Sequence, residues 1–336
     1  MPFGWGSGAR GGRRGEAGAG CSPTNSRVSP VGLPGSVQIV EVGPRDGLQI
    51  EPTLLDVGTR RELVCRLLEA GLGDVEAASF VSERLVPQMA GAGTLIASLP
   101  ASRADRVSVL VLNERGARRA LESGARHLRF GIAVTESFNQ RNQAAKVSES
   151  LSDFRRSITA ASEIGAKCSA IIMVAFGCPF EGSVPKQAVV ALAADLFSAG
   201  ALEVTLADTI GVAVPSQVED LIGLVARAHP DRGVGGHFHD TRNTGIANAV
   251  AAIHAGATHL DASIGGLGGC PFAPGASGNI ATEDLVYCLE SMGIATGVDL
   301  TSLLEVATWL GVLLDRPMES ALLRAGIPRF LDAWAL

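Results

Sequence analysis

From Val37 onward, short runs of β-branched and apolar residues alternate with longer Ala/Leu-rich segments whose apolar positions recur at helical spacing. A brief apolar run bounded by turn residues reads as a strand buried on both faces, and the longer segment as the helix that carries the chain to the next strand. The strands predicted in this way are 37–42 (VQIVEV), 74–80, 107–112, 127–133, 169–176, 202–208, 234–239 and 259–264. Helices are predicted at 57–70, 84–98, 114–123, 149–165, 185–199, 215–228, 243–255 and 281–292, with one more at 300–315. Gly71, Gly124, Gly165, Gly200, Gly256 and Gly293 stand where a helix C-cap wants left-handed backbone. Eight β/α units close into a (β/α)8 TIM barrel with an extra C-terminal helix. The alternative, an open doubly wound sheet, normally has fewer strands.

Residues 1–36 break the pattern, being rich in Gly, Arg, Ser and Pro with almost no apolar periodicity. Such a segment cannot offset its own ordering entropy, so a disordered Gly/Arg-rich extension is expected before a barrel domain at 37–336. It is arginine-rich and acid-poor, as organellar transit peptides are, but lacks their amphipathic period.

The chain has 336 residues, 46% of them apolar, enough for a core that buries about 75% of the unfolded surface. A disulfide-stapled mini-protein and a polyelectrolyte are thereby excluded. With 28 Lys and Arg against 34 Asp and Glu, the net charge is -6, the wrong sign for a broad nucleic-acid or anionic-membrane footprint. No apolar run approaches the ~20 residues of a membrane span. An anionic substrate must therefore be met by a few placed cations. None of the six cysteines forms a C-x-x-C pair, so they read as thiols of a reducing compartment: the cytoplasm, or the mitochondrial matrix in a eukaryote.

In a (β/α)8 barrel the chemistry gathers at the C-terminal ends of the strands. There the first strand leads into Glu41 and Gly43-Pro44-Arg45-Asp46-Gly47, the second contains Glu76, the sixth ends in Asp208 and the seventh in His237-Phe238-His239-Asp240. His237 and His239 are two apart on a strand and share a face. With Asp46 they would form an N2O set suited to Mg2+, Mn2+ or a related divalent ion. An isolated H-x-H is more often a hydrogen-bonded pair in a packed barrel mouth, so its company decides. That company is the segment 265–279, GGLGGCPFAPGASGN, whose six glycines and two prolines make it a loop over the rim that carries Cys270. Asn279 closes it with an amide oxygen able to reach a hard cation. Arg45 is either a salt-bridged rim residue or the group that holds an enolate or carboxylate oxygen, and Glu76 and Asp208 are equally open taken singly. Cys178, after the fifth strand, is a weaker candidate for lining the site. His127, His229, His254 and His259 read as structural.

The stretches EVGPRDGLQ (41–49), SFVSERLVPQM (79–89), GCPFEG (177–182), LADTIGV (206–212), HFHDT (237–241) and GGLGGCPFAPGASGNIATEDLVY (265–287) resemble the 3-hydroxy-3-methylglutaryl-CoA (HMG-CoA) lyase family. That family belongs to the metal-dependent barrel superfamily that includes 2-isopropylmalate and homocitrate synthases. The resemblance covers about residues 37–315, and the Cys270 loop is its most specific element. It implies a divalent cation, Mg2+ or Mn2+, held by Asp46, His237, His239 and Asn279. It further implies Arg45 as the enolate-stabilising group, Gln49 beside it in substrate binding, and Cys270 in proton transfer. Glu76 and Asp208 would be catalytic acids around the metal and the tertiary hydroxyl, an acyl-CoA the substrate, and a homodimer the assembly. The implied reaction is retro-Claisen cleavage of HMG-CoA to acetyl-CoA and acetoacetate. Alternatives are a lyase for a related 3-hydroxyacyl-CoA such as citramalyl-CoA, a Claisen-type synthase, against which the Cys270 loop argues, and a non-catalytic scaffold. Departures from the family pattern at Ile50, Arg242, Phe272 and Asp315-Arg316-Pro317 fall outside the metal set and bear on acyl and CoA recognition.

Overall fold

The computed structural model describes residues 32–269 and 278–328. Eight parallel strands, β1 (Gln38–Glu41), β2 (Asp74–Ser79), β3 (Val107–Val111), β4 (His127–Ala133), β5 (Lys167–Met173), β6 (Glu203–Asp208), β7 (Gly233–Phe238) and β8 (His259–Ala262), form a barrel closed by pairing of β1 with β8. The connecting helices are α1 (Val57–Glu69), α2 (Ala92–Ser98), α3 (Glu114–Glu122), α4 (Glu136–Gln143), α5 (Val147–Glu163), α6 (Lys186–Ala199), α7 (Pro215–Ala228), α8 (Gly245–His254) and α9 (Thr282–Ser291). The extra C-terminal helix is α10 (Leu300–Leu314), followed by the short α11 (Ala321–Ala325).

All eight expected strands are present, and all six cap glycines have positive φ. Two expectations change. The helix expected over 84–98 begins only at Ala92, because Pro87 starts a separate 3-10 turn and Gly91 enters the left-handed region at φ 72°. The polar helix α4 went unforeseen: in ESFNQRNQ only Phe138 and Asn139 are buried, so no apolar stripe announces it. At the N-terminal end, Gly35 and Val37 exchange backbone hydrogen bonds with Ala295. Residues 1–31 lie outside the described residues.

Alternation along the strands sorts the core into two regions. Val75, Leu128, Phe130 and Leu260 belong to the large apolar cluster between barrel and helices, where Phe130 meets Phe154 of α5 edge-on at 4.9 Å. The alternate residues Asp74, Glu76, His127, Arg129, Ser169, Thr205, His237 and Asp261 instead hydrogen-bond to one another across the barrel. A barrel interior is ordinarily filled by branched apolar side chains. Much of this one is a buried polar network reaching up to the C-terminal rim.

Candidate active site

The site begins where β1 runs into a single π-helical turn, Gly43–Gly47, in which Val42 C=O accepts N–H bonds from Arg45, Asp46 and Gly47 at 3.1, 2.7 and 3.3 Å. Such turns are rare and concentrate at functional sites. Its glycines are required by space: a Cβ on Gly43 would stand 2.6 Å from Glu41 Oε1, and one on Gly47 would stand 2.9 Å from Leu267 Cβ and Ser263 Oγ. The turn lies flat against the segment that follows β8, and so presents Arg45 and Asp46 side by side at the rim.

Asp46 Oδ2 lies 3.9 Å from Nε2 of His237 and 3.9 Å from Nε2 of His239. Among the described residues this is the one group of three His, Cys, Asp or Glu side chains whose donor atoms lie within 4.8 Å of one another. Burial opposes ionisation of Asp46, but the Arg45 guanidinium, the two imidazoles and the Asn279 amide outweigh it and bring its pKa down to about 2. The carboxylate is thus charged at any physiological pH. One anionic oxygen and two imidazole nitrogens suit a divalent cation with positions left over.

Asn279 is brought beside them by backbone pairing with His239. Its orientation differs from the expectation. The amide nitrogen, not the oxygen, faces the site and donates to Asp46 Oδ2 at 2.9 Å and to Leu267 C=O at 3.1 Å. Ligation through oxygen requires a half-turn of the amide, which gives up both bonds.

Arg45 is buried and pairs with both Glu76 and Asp46. Glu76 is the more deeply buried of these two partners. It is fully buried, one oxygen accepts from Arg45 and the other accepts from Arg129 Nη1 at 2.9 Å. Both of its oxygens are thus engaged with guanidinium groups. Asp208 accepts from the backbone N–H groups of Val212 and Ala213, both at 2.9 Å, and burial raises its pKa above the usual carboxylate range. Gln49 is half-buried on the 3-10 turn Leu48–Ile50 just past Asp46. Cys178 packs in a small cluster with Ala133, Phe138 and Val174, and its sulfur accepts from Thr135 Oγ1 at 3.2 Å. Cys270 lies outside the described residues.

Two buried groups at the site escaped the sequence reading of function. Asp261 on β8 accepts from His237 Nδ1 at 3.1 Å, and Arg129 on β4 bridges Asp261 and Glu76. The available signal was a charged residue at an inward position of an otherwise apolar strand, as in HLRFGIA and HLDA.

A closed β/α barrel whose rim gathers a carboxylate, two imidazoles and a carboxylate-paired guanidinium is the framework of a barrel enzyme with a cation-suited site. The chain belongs to the HMGL-like family, whose model matches residues 36–310. It is 43% identical over 301 residues to the (R)-citramalyl-CoA lyase of Chloroflexus aurantiacus, covering 87% of this chain and 95% of that protein. It is 40% identical over 292 residues to the hydroxymethylglutaryl-CoA lyase of Pseudomonas mevalonii, covering 87% and 96%. Among solved structures, an HMG-CoA lyase from Acinetobacter baumannii in complex with coenzyme A and 3-methylmalate superposes with a TM-score of 0.84 at 35% identity, over 88% of this chain and 96% of that one.

Proposed function

We propose that this protein is a divalent-metal-dependent carbon–carbon lyase that cleaves HMG-CoA to acetyl-CoA and acetoacetate. The observation that carries the reading is the placement of Asp46 Oδ2 at 3.9 Å from both imidazole Nε2 atoms, with Arg45 paired to the same carboxylate. Asp46, His237 and His239 would hold the cation, with Asn279 joining after its amide turns. A bound divalent ion supplies Lewis acidity toward the substrate's tertiary hydroxyl and a neighbouring oxygen.

The chain's own groups account for the remaining steps. Asp208, at the end of β6 with a carboxyl made more basic by burial, takes the hydroxyl proton. The C2–C3 bond then breaks, its electron pair moves into the thioester as an enolate, and the other fragment becomes acetoacetate. Arg45, held from behind by Glu76, places a fixed positive charge beside the enolate oxygen. The resemblance of the 265–287 segment to the lyase family supports Cys270 as the donor that protonates the enolate carbon to give acetyl-CoA. The hydroxyl proton on Asp208 restores the thiol through solvent, so no proton is gained or lost.

Three further assignments belong to the same reading. The four described cysteines are free thiols, which supports a reducing cytoplasm. No described helix is long and apolar enough to cross a membrane. A homodimer and the division into an extension at 1–36 and a barrel domain from 37 complete the reading.

A second reading is specifically favoured by the 43% identity to a citramalyl-CoA lyase: the same machinery with a different acyl pocket. Purified protein supplied with Mg2+ and either thioester separates the two. The expected result is acetoacetate from HMG-CoA, abolished by EDTA and restored by excess Mg2+. Faster turnover of citramalyl-CoA, giving pyruvate, would favour the second reading, and turnover unaffected by chelator would remove the metal site from the mechanism.

A further inference from the structure

We propose that Arg129 and Asp261 are the positioning residues of this site: Arg129 fixes Asp261, and Asp261 sets the tautomer of His237 so that Nε2 faces Asp46 as a lone-pair donor. The inference rests on the metal-site reading above and extends it below the rim.

Strand alternation puts Arg129 inside the barrel, two residues above His127, while Leu128 and Phe130 point into the helical layer. Its side chain is 3% exposed, and both terminal nitrogens bond inside the network. Nη1 donates to Glu76 Oε2 at 2.9 Å, and Nη2 donates to both oxygens of Asp261 at 2.9 Å and to Thr205 Oγ1 at 3.2 Å. One planar guanidinium therefore spans β4 to β2 on one side and to β6 and β8 on the other. A lysine can supply the charge but not the fork.

The two carboxylates it holds each control one functional group. Glu76 uses its other oxygen to hold Arg45, and Asp261 uses Oδ2 to hold His237 Nδ1 at 3.1 Å. Both Asp261 oxygens lie 2.9 Å from Arg129 Nη2, and pairing with this fixed positive charge keeps the carboxylate an acceptor. An ionised carboxylate only accepts, so its imidazole partner must carry a proton on Nδ1. In the neutral ring that leaves the lone pair on Nε2, the nitrogen 3.9 Å from Asp46 Oδ2. Carboxylates in this relation to a histidine orient metal ligands in many proteins, and removing one typically costs about 10- to 100-fold in metal affinity. His237 therefore owes its ligand form to a residue 24 positions away on the next strand.

The neighbouring Thr205 separates positioning from bulk stability. Its hydroxyl hydrogen-bonds to Arg129 and His259 in the same buried network, and its bonds lie outside the Asp261–His237 pair. Thr205→Val should lower stability without changing the imidazole.

Three full-length variants, Asp261→Asn, Arg129→Lys and Thr205→Val, test this beside the wild type. Metal-free protein labelled with 15N-histidine reports the His237 tautomer by NMR, with His237→Gln to assign its signal. Mn2+ titration followed by electron paramagnetic resonance reports affinity, and guanidinium chloride denaturation reports stability. The wild type is expected to carry its proton on Nδ1. Asp261→Asn should shift it toward Nε2 and weaken Mn2+ binding about 10- to 100-fold. Arg129→Lys should weaken binding to a smaller degree, and Thr205→Val should leave tautomer and affinity unchanged whatever it does to stability. A wild-type tautomer in Asp261→Asn, or Mn2+ affinity within about twofold of wild type, would overturn the proposal. A wild type that binds no Mn2+, yet loses the Nδ1 proton in Asp261→Asn, would overturn the metal reading and leave the positioning of His237 standing.

Discussion

Arg45 concentrates the site's electrostatics in one side chain, since it is shared between Glu76 and Asp46 and has almost no exposed surface. Replacing it by Met removes the charge while keeping a long apolar stem. Glu76 retains Arg129 as a partner, so one of the two stranded carboxylates stays paired. The expected outcome for Arg45→Met is a fall in kcat of about 100- to 1000-fold with the circular-dichroism spectrum of the wild type. Turnover within a few-fold of wild type would remove Arg45 from the chemistry. Arg45, Asp46, His237 and His239 were legible in the sequence because they sit at strand ends or just beyond, where a barrel gathers its chemistry. Arg129 and Asp261 were not, because each is a charged residue in mid-strand whose meaning depends on which strand stands opposite. The orientation of the Asn279 amide was equally invisible, being decided by Asp46 and Leu267 together.

Among the elements, the strands were legible for a simple reason. Burial on both sides makes each one an apolar run, and a glycine at the end of the preceding helix marks where it begins. Helix α4 lacked both signals, and α2 was overextended because period alone does not register the break at Pro87 and Gly91. The cap glycines differ in a way the sequence does not reveal. Gly71 and Gly124 have nearly the same backbone, φ 98° and 94°, yet a Cβ on Gly71 would stand 2.4 Å from Gly297 C=O, whereas one on Gly124 meets nothing within 4 Å. Gly124→Ala therefore incurs only the left-handed backbone penalty, about 1–2 kcal/mol. Gly71→Ala incurs that penalty and must also displace the backbone before α10. Urea denaturation of both variants should show Gly71→Ala as clearly the less stable, and equal losses would mean that the 297–298 segment yields freely.

For the whole molecule, the decisive structural event is closure of the seam between the first strand and the last, and two buried carboxylates sit on it. Glu41, ending β1, accepts from Ile264 N–H and Thr282 Oγ1, and Glu283 accepts from Gly265 N–H at 2.9 Å. Together they pin the chain just beyond β8, on the approach to the Cys270 loop. Burial raises Glu41 to about 7 and Glu283 to about 8, from 4.5. Between the unfolded and folded values the native state keeps a proton that the unfolded chain has released. The stabilisation from each group is therefore complete below about pH 4.5 and declines as pH rises, ending near 7 for Glu41 and near 8 for Glu283. Asp46 runs the opposite way: its lowered pKa gives stability above 3.8 that is lost as pH falls toward 2. His259, whose pKa burial lowers, adds stability as pH rises toward its ordinary 6.5, so the total curve mixes signs. A difference between two proteins isolates one group. Glu283→Gln keeps an acceptor oxygen for Gly265 and removes the titration. Denaturation free energies measured from pH 5 to pH 9 should thus converge on the wild type at the acid end and exceed it by a growing margin, up to a few kcal/mol, at the alkaline end. Parallel curves across that range would show that Glu283 is ionised in the native state and that the seam is closed by a charged group.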